Sequence, residues 1–246
     1  MTNTTDRRVA IITGGSGGIG RAVTTRLAAD GMAVVVHYAG NSQQAEETAH
    51  AITAAGGLAT VAGGDVADEV AMTELFDLAE ARFGGVDVLV HTAGIMPLAP
   101  IAELDLDTFD AVQRTNVRGT VVVDQLAARR IRDGGAIINF STSMTRLQVP
   151  GYGAYAASKG AVEALTLILA REMRGRDVTV NAVAPGPTAT PLFLDGKSEQ
   201  QIAQIASGNP LQRLGEPADI AEVVAFLAGP GRWVNGQVLH ANGAAA

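Results

Sequence analysis

A tyrosine and a lysine stand four residues apart in the segment Tyr-Ala-Ala-Ser-Lys, as Tyr155 and Lys159. Side chains at this spacing share one face of a helix, so the lysine ammonium can lie beside the phenol. A neighbouring positive charge favours the phenolate, and we therefore expect the Tyr155 pKa to lie below its usual value of about 10. Such a phenol can exchange a proton with a substrate oxygen near neutral pH, so the pair predicts general acid–base chemistry.

A glycine-rich turn near the start of the chain predicts a second function. Residues 9–13 are apolar and mostly β-branched, as in a buried strand, and lead into Gly-Gly-Ser-Gly-Gly-Ile-Gly at 14–20. Residues 21–29 continue with apolar side chains at helical spacing. A strand, a glycine turn and a helix in this order bind dinucleotides, because the backbone can approach a pyrophosphate at the positive end of the helix.

The rest of the chain must supply the elements that position these groups. Strand-like runs at 33–37, 59–62, 86–91, 136–140, 178–183 and 237–240 alternate with helical stretches at 18–30, 42–55, 68–83, 107–132, 152–174 and 217–228. This rhythm predicts an α/β fold: one domain over 1–246, with a Rossmann-type, doubly wound parallel sheet of seven strands and helices on both faces. Residues 187–214 break the rhythm with prolines, glycines and a helical patch at 198–206, which predicts a lid over a substrate.

The composition argues against several classes of function. A net charge of −7 disfavours a nucleic acid or an anionic membrane as a partner, and no apolar run reaches the length of a membrane span. The chain has no cysteine, and its four histidines lack the spacing of a metal site. The first eight residues are polar, without the apolar core of a signal peptide. We therefore expect a cytoplasmic protein that binds no metal.

Together the motifs Thr13-Gly-x-x-x-Gly-Ile-Gly20 and Tyr155-x-x-x-Lys159 resemble the short-chain dehydrogenase/reductase family, over residues 8–244. Further segments of the family pattern stand at 65–66, 93–94, 116, 141–143, 185–186 and 236–243. The resemblance implies hydride transfer between a nicotinamide coenzyme and a carbonyl or alcohol, such as an aldehyde, a ketone or a 3-oxoacyl thioester. The C-terminal half is most similar to 3-oxoacyl-[acyl-carrier-protein] reductases and NADPH-dependent aldehyde reductases. The family also implies a homotetramer.

The resemblance implies a catalytic group of Asn116, Thr142, Tyr155 and Lys159. Tyr155 would act as the general acid or base, Lys159 would also bond the nicotinamide ribose, and Asn116 would anchor a water that leads protons to the lysine. The family usually carries a serine thirteen residues before the tyrosine, where this chain has Thr142. Strand alternation would turn the neighbouring Ser143 to the other face, but a turn could bring it into the site, so Ser143 is the second candidate.

The cofactor contacts that the resemblance implies come from segments spread along the chain. They are Gly14, Ser16, Gly18, Ile19, Gly20, Tyr38, Asn41, Ser42, Asp65, Val66, Ala93, Gly94, Pro185, Gly186 and Thr188. Where the family commonly shows Asn-Asn-Ala-Gly, this chain has His91 and Thr92 before Ala-Gly. We interpret His91 as a buried residue at the end of a strand rather than a proton carrier.

The end of the second strand predicts NADP(H) rather than NAD(H). An acid there would bond the ribose 2′-hydroxyl and repel a 2′-phosphate, but this chain has Tyr38 in its place. Asn41 and Ser42, at the start of the next helix, could donate hydrogen bonds to a phosphate or could simply cap that helix. Gly17 stands where NADP-binding members often carry a basic residue, and Arg21 is the substitute that the sequence offers.

For the substrate, Met96, Tyr152 and Phe193, together with Ser143, predict a mostly apolar pocket. The arginines at 129, 130 and 132 form the one local basic cluster that a carrier-protein substrate could use. A sugar or polyol dehydrogenase is the alternative within the family. A dinucleotide-binding sensor or scaffold without turnover is the alternative of another class.

Overall fold

One parallel sheet organises the molecule, whose computed structural model describes residues 7–246. The predicted polar start of the chain, at 1–6, lies outside the described residues. The strands are Val9–Thr13 (β1), Ala33–Tyr38 (β2), Leu58–Gly63 (β3), Val86–His91 (β4), Ile131–Phe140 (β5), Thr179–Pro185 (β6) and Val238–Ala241 (β7). They are all parallel, in the order β3-β2-β1-β4-β5-β6-β7. The predicted doubly wound sheet of seven strands is therefore confirmed.

Helices cover both faces of this sheet. Within the described residues they are Gly18–Ala29 (α1), Ser42–Ala54 (α2), Glu69–Phe83 (α3), Leu106–Gln113 (α4), Gly119–Arg130 (α5), Met144–Leu147 (α6), Gly153–Glu172 (α7), Pro191–Leu194 (α8), Glu199–Gly208 (α9) and Pro217–Ala228 (α10). A 3-10 turn at Ile101–Glu103 precedes α4, and a π-turn at Arg114–Arg118 joins α4 to α5.

The buried side chains form one apolar layer on each face of the sheet. Alternate residues of β1 point to opposite faces, so Ala10 and Ile12 pack in the layer that includes α1, α2 and α10. Val9 and Ile11 pack in the other layer, with side chains of α3, α5 and α7. The central strands are thus buried on both faces, which explains their continuous apolar sequences.

The order of the strands reverses beside β1, and this reversal locates the site. From β1 the chain moves outward to β2 and β3, then returns to place β4 on the other side of β1. Thr13 and His91, the last residues of β1 and β4, are register partners at this point. Because the connections at their carboxyl ends diverge, a crevice opens there, where ligands bind in sheets of this kind.

The predicted helix at 107–132 is the largest difference between sequence and structure. The structure divides it into α4, the π-turn and α5, and its last two residues belong to β5. This strand begins at Ile131 rather than at 136, because Ile131 pairs with Val86 across an irregular step in the register. The four-residue helices α6 and α8 were not predicted, since single turns leave no periodic pattern.

Two features of residues 7–246 bear on the type of site. In that range no helix combines the length and the hydropathy that a membrane crossing requires. The same range contains no group of three or more His, Cys, Asp or Glu side chains arranged to hold a metal ion.

Candidate active site

A cavity of about 490 Å³ lies at the carboxyl ends of the strands, at the reversal point. It is lined by Gly14, Gly17, Gly18, Ile19, Gly20, Ala39, Gln44, Thr92, Ala93, Gly94, Met96, Phe140, Ser141, Thr142, Met144, Tyr152, Tyr155, Lys159, Pro185, Gly186, Pro187, Thr188, Thr190, Pro191, Leu192 and Phe193. The cavity therefore joins the glycine turn to the tyrosine–lysine pair, two motifs separated by more than a hundred residues.

The glycine turn fits the pyrophosphate of a dinucleotide. Helix α1 begins at Gly18, and no side chain caps its N-terminus. Its first N–H groups and its positive dipole end are therefore available to an anion. A Cβ atom on Gly20 would lie 2.1 Å from the Gly14 carbonyl oxygen, and Gly14 itself has a φ of +65°. Only glycine satisfies both positions, so the sequence of the turn maintains a bare backbone surface facing the cavity.

Tyr155 and Lys159 lie on α7 as predicted, but their electrostatics differ from the expectation. Burial raises the pKa of Tyr155 to about 12, and a hydrogen bond with Thr142 opposes this shift only in part. Lys159 donates from Nζ to the Phe140 carbonyl at 2.8 Å, and Nζ lies 5.9 Å from the centre of the Tyr155 ring. Burial also lowers the pKa of Lys159 to about 8. The predicted lowering of the Tyr155 pKa is therefore wrong, because burial dominates and Lys159 is not among the groups that shift this pKa.

Three neighbouring hydroxyl groups follow β5, and their partners distinguish them. Thr142 lines the cavity near the Tyr155 phenol, whose pKa its hydroxyl lowers, and its Oγ1 accepts from Met144 N–H at 3.3 Å. Ser143 is fully buried and points away, donating to the Ala184 carbonyl at 3.3 Å. Ser141 donates to Glu163 Oε1 at 2.6 Å. Of the two predicted candidates, Thr142 is the hydroxyl that the fold brings to the tyrosine, and Ser143 does not line the cavity.

Asn116 lies in the π-turn, fully buried behind the cavity. Its Nδ2 donates to the Ile95 carbonyl at 2.9 Å and to Ser158 Oγ at 3.0 Å, while Ile95 N–H donates to its Oδ1 at 2.9 Å. Both amide hydrogens are thus used by protein groups. The side chain joins the loop after β4 to α7, and a Cβ on Gly94 would lie 3.2 Å from its Oδ1.

Two buried histidines flank the glycine turn and remain neutral. Gly14 N–H donates to His37 Nδ1 at 3.4 Å, and His37 Nε2 lies 3.1 Å from the Gly64 carbonyl. Burial lowers the pKa of His37 to about 4. His91 Nδ1 lies 2.7 Å from Thr13 Oγ1, and burial, reinforced by Lys159, lowers its pKa to about 3. A neutral, enclosed His91 agrees with the interpretation of this residue as a buried strand end.

The predicted adenosine contacts lie at the edge of the cavity rather than in its wall. Asn41 caps α2, since its Oδ1 accepts from Gln44 N–H at 3.1 Å, and Ser42 is the exposed first residue of that helix. The Tyr38 ring packs on Gly63, where a Cβ would lie 2.9 Å from Tyr38 Cζ. Gln44 itself lines the cavity, although it was not among the predicted contacts.

Three other predicted contacts are likewise outside the lining. Ser16 is half-buried in the glycine turn. Asp65 is exposed, accepts from Ala67 N–H at 2.9 Å and pairs with Arg114. Val66 is buried against α5, where a Cβ on Gly119 would lie 2.7 Å from its Cγ2.

The predicted substrate wall and lid meet at the other end of the cavity. Met96, Tyr152 and Phe193 all line it, and the lid adds further apolar side chains through α8. Thr188, a predicted cofactor contact within the same segment, donates to the Gly186 carbonyl at 2.9 Å. Met144, which was not among the predicted residues, lies in the wall on α6. Among the described lining residues Lys159 is the one charged side chain, so the substrate end is apolar.

The predicted basic cluster lies at the amino end of β5, at the opposite end of the strands from the cavity. Arg130 donates to Asp77 and to Glu80 at 2.6 Å each. Arg132 donates from Nε to Asp87 at 2.8 Å. The carboxyl end of the same strand lines the cavity, so these arginines are neutralised by acids and lie remote from the site.

Comparison with known proteins adds sequence relatives over nearly the whole chain. A family model described as Enoyl-(Acyl carrier protein) reductase matches residues 14–244. A short-chain type dehydrogenase/reductase of Picea abies is 42% identical, over 96% of this chain and 91% of its own length. An NADPH-dependent aldehyde reductase-like protein of Arabidopsis thaliana, named as chloroplastic, is also 42% identical, over 96% of this chain and 93% of its own.

Solved structures of similar proteins share the whole fold. A short-chain dehydrogenase/reductase from Serratia marcescens matches with a TM-score of 0.91 at 38% identity, over 98% of both chains. A short chain dehydrogenase from Burkholderia cenocepacia in complex with NADP matches with a TM-score of 0.91 at 39% identity, over 99% of both.

Proposed function

The chain belongs to the short-chain dehydrogenase/reductase family of oxidoreductases, and from that premise we propose that it reduces carbonyl compounds with NADP(H), with Tyr155 as the general acid. One observation carries the proposal. Thr142, Tyr155 and Lys159 line the same cavity as the uncapped glycine turn, so a dinucleotide and a carbonyl can meet there.

The preference for NADP(H) rests on two supports. The similar Arabidopsis protein is named NADPH-dependent, and the similar Burkholderia structure contains NADP. In this chain no acid follows β2, and the exposed N-terminus of α2 offers Ser42 and the free Nδ2 of Asn41 to a phosphate.

When bound, the dinucleotide supplies a hydride to the carbonyl carbon, and a proton must then reach the carbonyl oxygen. Tyr155 donates that proton. With its pKa near 12 the phenol stays protonated at neutral pH, which is the form that a reduction requires. The Thr142 hydroxyl is placed to donate to the same oxygen, and the buried Lys159 ammonium stabilises the phenolate as it forms. We propose that Asn116 positions the loop after β4 relative to α7, because its two amide hydrogens bond the Ile95 carbonyl and Ser158 Oγ.

The cavity wall favours uncharged, apolar aldehydes and ketones as substrates. Met96, Met144 and Phe193 offer no donor for a phosphate or carboxylate, and a sugar or polyol would leave several hydroxyl groups unpaired against them. A 3-oxoacyl thioester suits the wall equally well. Its carrier protein, however, would find the basic cluster at the opposite end of the strands from the cavity, with Arg130 and Arg132 already paired with acids.

The test is oxidation of NADPH and of NADH, followed by nicotinamide absorbance, against a panel of aldehydes, ketones, polyols and 3-oxoacyl thioesters. Tyr155→Phe should lower kcat/KM about 10²- to 10⁴-fold, because it removes the proton donor. Tyr152→Phe is the matched control, since it removes a phenol from the same cavity that has no lysine four residues further on. Tight NADPH binding without turnover on any substrate would favour the non-catalytic sensor, and turnover with NADH alone would overturn the coenzyme preference.

We also propose a homotetramer, supported by apolar side chains on the outer faces of α5 and α7. Val121, Leu167 and Ile168 are 43%, 40% and 56% exposed, and Trp233 before β7 is fully exposed. Light scattering of the purified protein gives the number of subunits. The cytoplasmic location stays a prediction, and fractionation of cells tests it.

A further inference from the structure

Asp124 is a buried acid that lies outside the cavity. It stands on α5, two helical turns beyond Asn116, and is 6% exposed. Its Oδ2 accepts from Asn139 Nδ2 at 2.8 Å, and the same nitrogen donates to Thr166 Oγ1 at 3.1 Å. These three side chains connect α5, β5 and α7 in the interior of the molecule.

Two oxygen atoms of this cluster lack a donor. Asp124 Oδ1 and Asn139 Oδ1 are both buried, and neither has a hydrogen-bond partner in the described part of the chain. Thr166 cannot supply a proton, because its hydroxyl donates to the Val162 carbonyl at 2.8 Å. Each unpaired buried acceptor costs about 1–3 kcal/mol, so the fold needs a donor at this point.

A single proton removes both deficits. The structure gives the bond from Asn139 Nδ2 to Asp124 Oδ2, and we infer that a proton on Asp124 Oδ1 is donated to the unpaired Asn139 Oδ1 of the same pair. A carboxylic acid and a carboxamide then form a closed ring of two hydrogen bonds. An ionised Asp124 would instead leave both oxygens unpaired and place a negative charge in an apolar layer.

The surroundings offer no counter-ion for an ionised Asp124. The titratable groups on the elements packed around it are Glu69, Glu74, Asp77, Glu80, Arg82, Asp87, His91, Arg114, Arg118, Arg129, Arg130, Arg132, Asp133, Tyr155, Lys159, Glu163, Arg171 and Glu172. Within residues 7–246, none of them makes an ion pair or a hydrogen bond with its carboxyl group. Burial accordingly raises the pKa of Asp124 to about 7, against a partial lowering by Asn139.

We propose that Asp124 is a positioning residue that works as the neutral acid, and that its ring with Asn139 ties α5 to β5 behind the catalytic group. Asn139 directly precedes Phe140, whose carbonyl accepts from Lys159 at 2.8 Å. Thr166 lies on α7 two turns beyond Lys159. The ring thus holds the backbone from which the lysine takes its hydrogen bond, and loss of the proton releases that support.

The test compares the wild type with Asp124→Asn and Asp124→Ala. The asparagine has the same shape and keeps a donor for Asn139 at every pH, whereas the alanine removes both hydrogen bonds. The pKa of Asp124 is higher in the folded chain than in the unfolded chain, so its contribution to stability is greatest at low pH. That contribution is lost as the pH rises through about 7. The unfolding constant of the wild type relative to Asp124→Asn should therefore rise about tenfold between pH 6 and pH 8. The histidines are common to both proteins and cancel in this ratio.

Isotope-edited infrared spectroscopy observes the proton directly. The carbonyl stretch of a protonated aspartic acid should be present in the wild type at pH 6, fade above pH 7 and be missing from Asp124→Asn. Its absence at pH 6, or a pH-independent ratio of unfolding constants, would overturn the proposal.

The positioning role has its own readout and rests on the proposed function. At pH 6 Asp124→Ala should lower kcat on the order of tenfold with little change in the KM for NADPH, because only the geometry behind Lys159 changes. Asp124→Asn should keep the kcat of the wild type. Equal kcat for all three proteins would refute the positioning role, whereas an inactive wild type would refute the proposed function and leave the infrared and unfolding results to decide on the proton.

Discussion

At the scale of single residues, the site depends on which hydroxyl group accompanies Tyr155. Thr142 reaches the phenol, while Ser143, its neighbour, is engaged with the Ala184 carbonyl and with Asn242. The threonine supplies the same O–H donor as a serine would, with one added methyl group. Burial keeps the phenol protonated, so the donor can be a neutral hydroxyl rather than a cation.

Replacement of Thr142 should separate its hydroxyl from its shape. Thr142→Val keeps the shape and removes the donor, so we expect kcat to fall about 10²- to 10³-fold. Thr142→Ser should keep kcat within about tenfold of the wild type, because the hydroxyl is retained. Steady-state kinetics at saturating coenzyme measures both. If Ser143→Ala lost as much activity as Thr142→Val, the assignment would have to move to Ser143.

At the scale of elements, the turn between β1 and α1 is held by steric fit. Gly20 allows α1 to pack on the turn, since any side chain there would collide with the Gly14 carbonyl. Gly160, in the middle of α7, has no such neighbour within 4 Å. Packing therefore requires a glycine at position 20, whereas inside the subunit Gly160 only weakens its helix.

This contrast gives a paired prediction for alanine substitutions. Gly20→Ala should lower the free energy of unfolding by about 1–3 kcal/mol through overpacking and should weaken NADPH binding. Gly160→Ala should leave NADPH binding unchanged, because a Cβ there would meet nothing within 4 Å inside the subunit. Urea unfolding and titration of NADPH fluorescence measure the two effects. A Gly20→Ala protein with wild-type stability and affinity would contradict the steric account of the turn.

Elements with a long periodic pattern could be predicted from the sequence, and single turns could not. The runs that become β1, β4 and α10 have the bounds predicted for them, because each is a continuous apolar or periodic segment between clear breaks. The π-turn at Arg114–Arg118 was hidden, since its one extra residue leaves the helical pattern almost unchanged. Asn116, one of the predicted catalytic residues, lies in it.

The candidate site was predictable in its motifs but not in its electrostatics. The spacing of Tyr155 and Lys159 is local and can be read from a helix. How deeply the two are buried depends on β5, the lid and the loop after β4, which are distant in sequence. Burial reversed the expected direction of the tyrosine pKa. The same dependence on distant elements explains why Gln44 and Met144 were missed.

At the scale of the whole molecule, the buried histidines make the fold sensitive to acid. The pKa of His37 is about 4 in the folded chain and about 6.5 in the unfolded chain. Between these pH values the unfolded chain therefore binds a proton on this residue and the folded chain does not. Stability is therefore complete above pH 6.5 and is lost as pH falls toward 4. His91, with a pKa of about 3, acts in the same direction, and Asp124 acts in the opposite one.

Comparing the unfolding constants of the wild type and a His37 variant separates the effect of this histidine from those of His91 and Asp124. The unfolding constant of the wild type relative to His37→Gln should rise on the order of 100-fold between pH 8 and pH 4, because the variant has no proton to gain there. His50→Gln, on the exposed side of α2, is the control for replacing a histidine by glutamine. Urea unfolding at half-unit pH steps measures both ratios. A flat ratio for His37→Gln would show that the bond from Gly14 does not depend on a neutral ring.

The convergence of Thr142 and Tyr155 on one wall has a consequence for the handedness of the product. Under the proposed function, the two hydroxyl groups determine where a carbonyl oxygen lies, so the two substituents of its carbon extend along different walls. Met96 and Phe193 stand on separate segments of those walls and differ in shape. A ketone with unlike substituents will therefore present one prochiral face to the hydride and yield mainly one enantiomer. Exchanging bulk between these two side chains should invert which enantiomer is made.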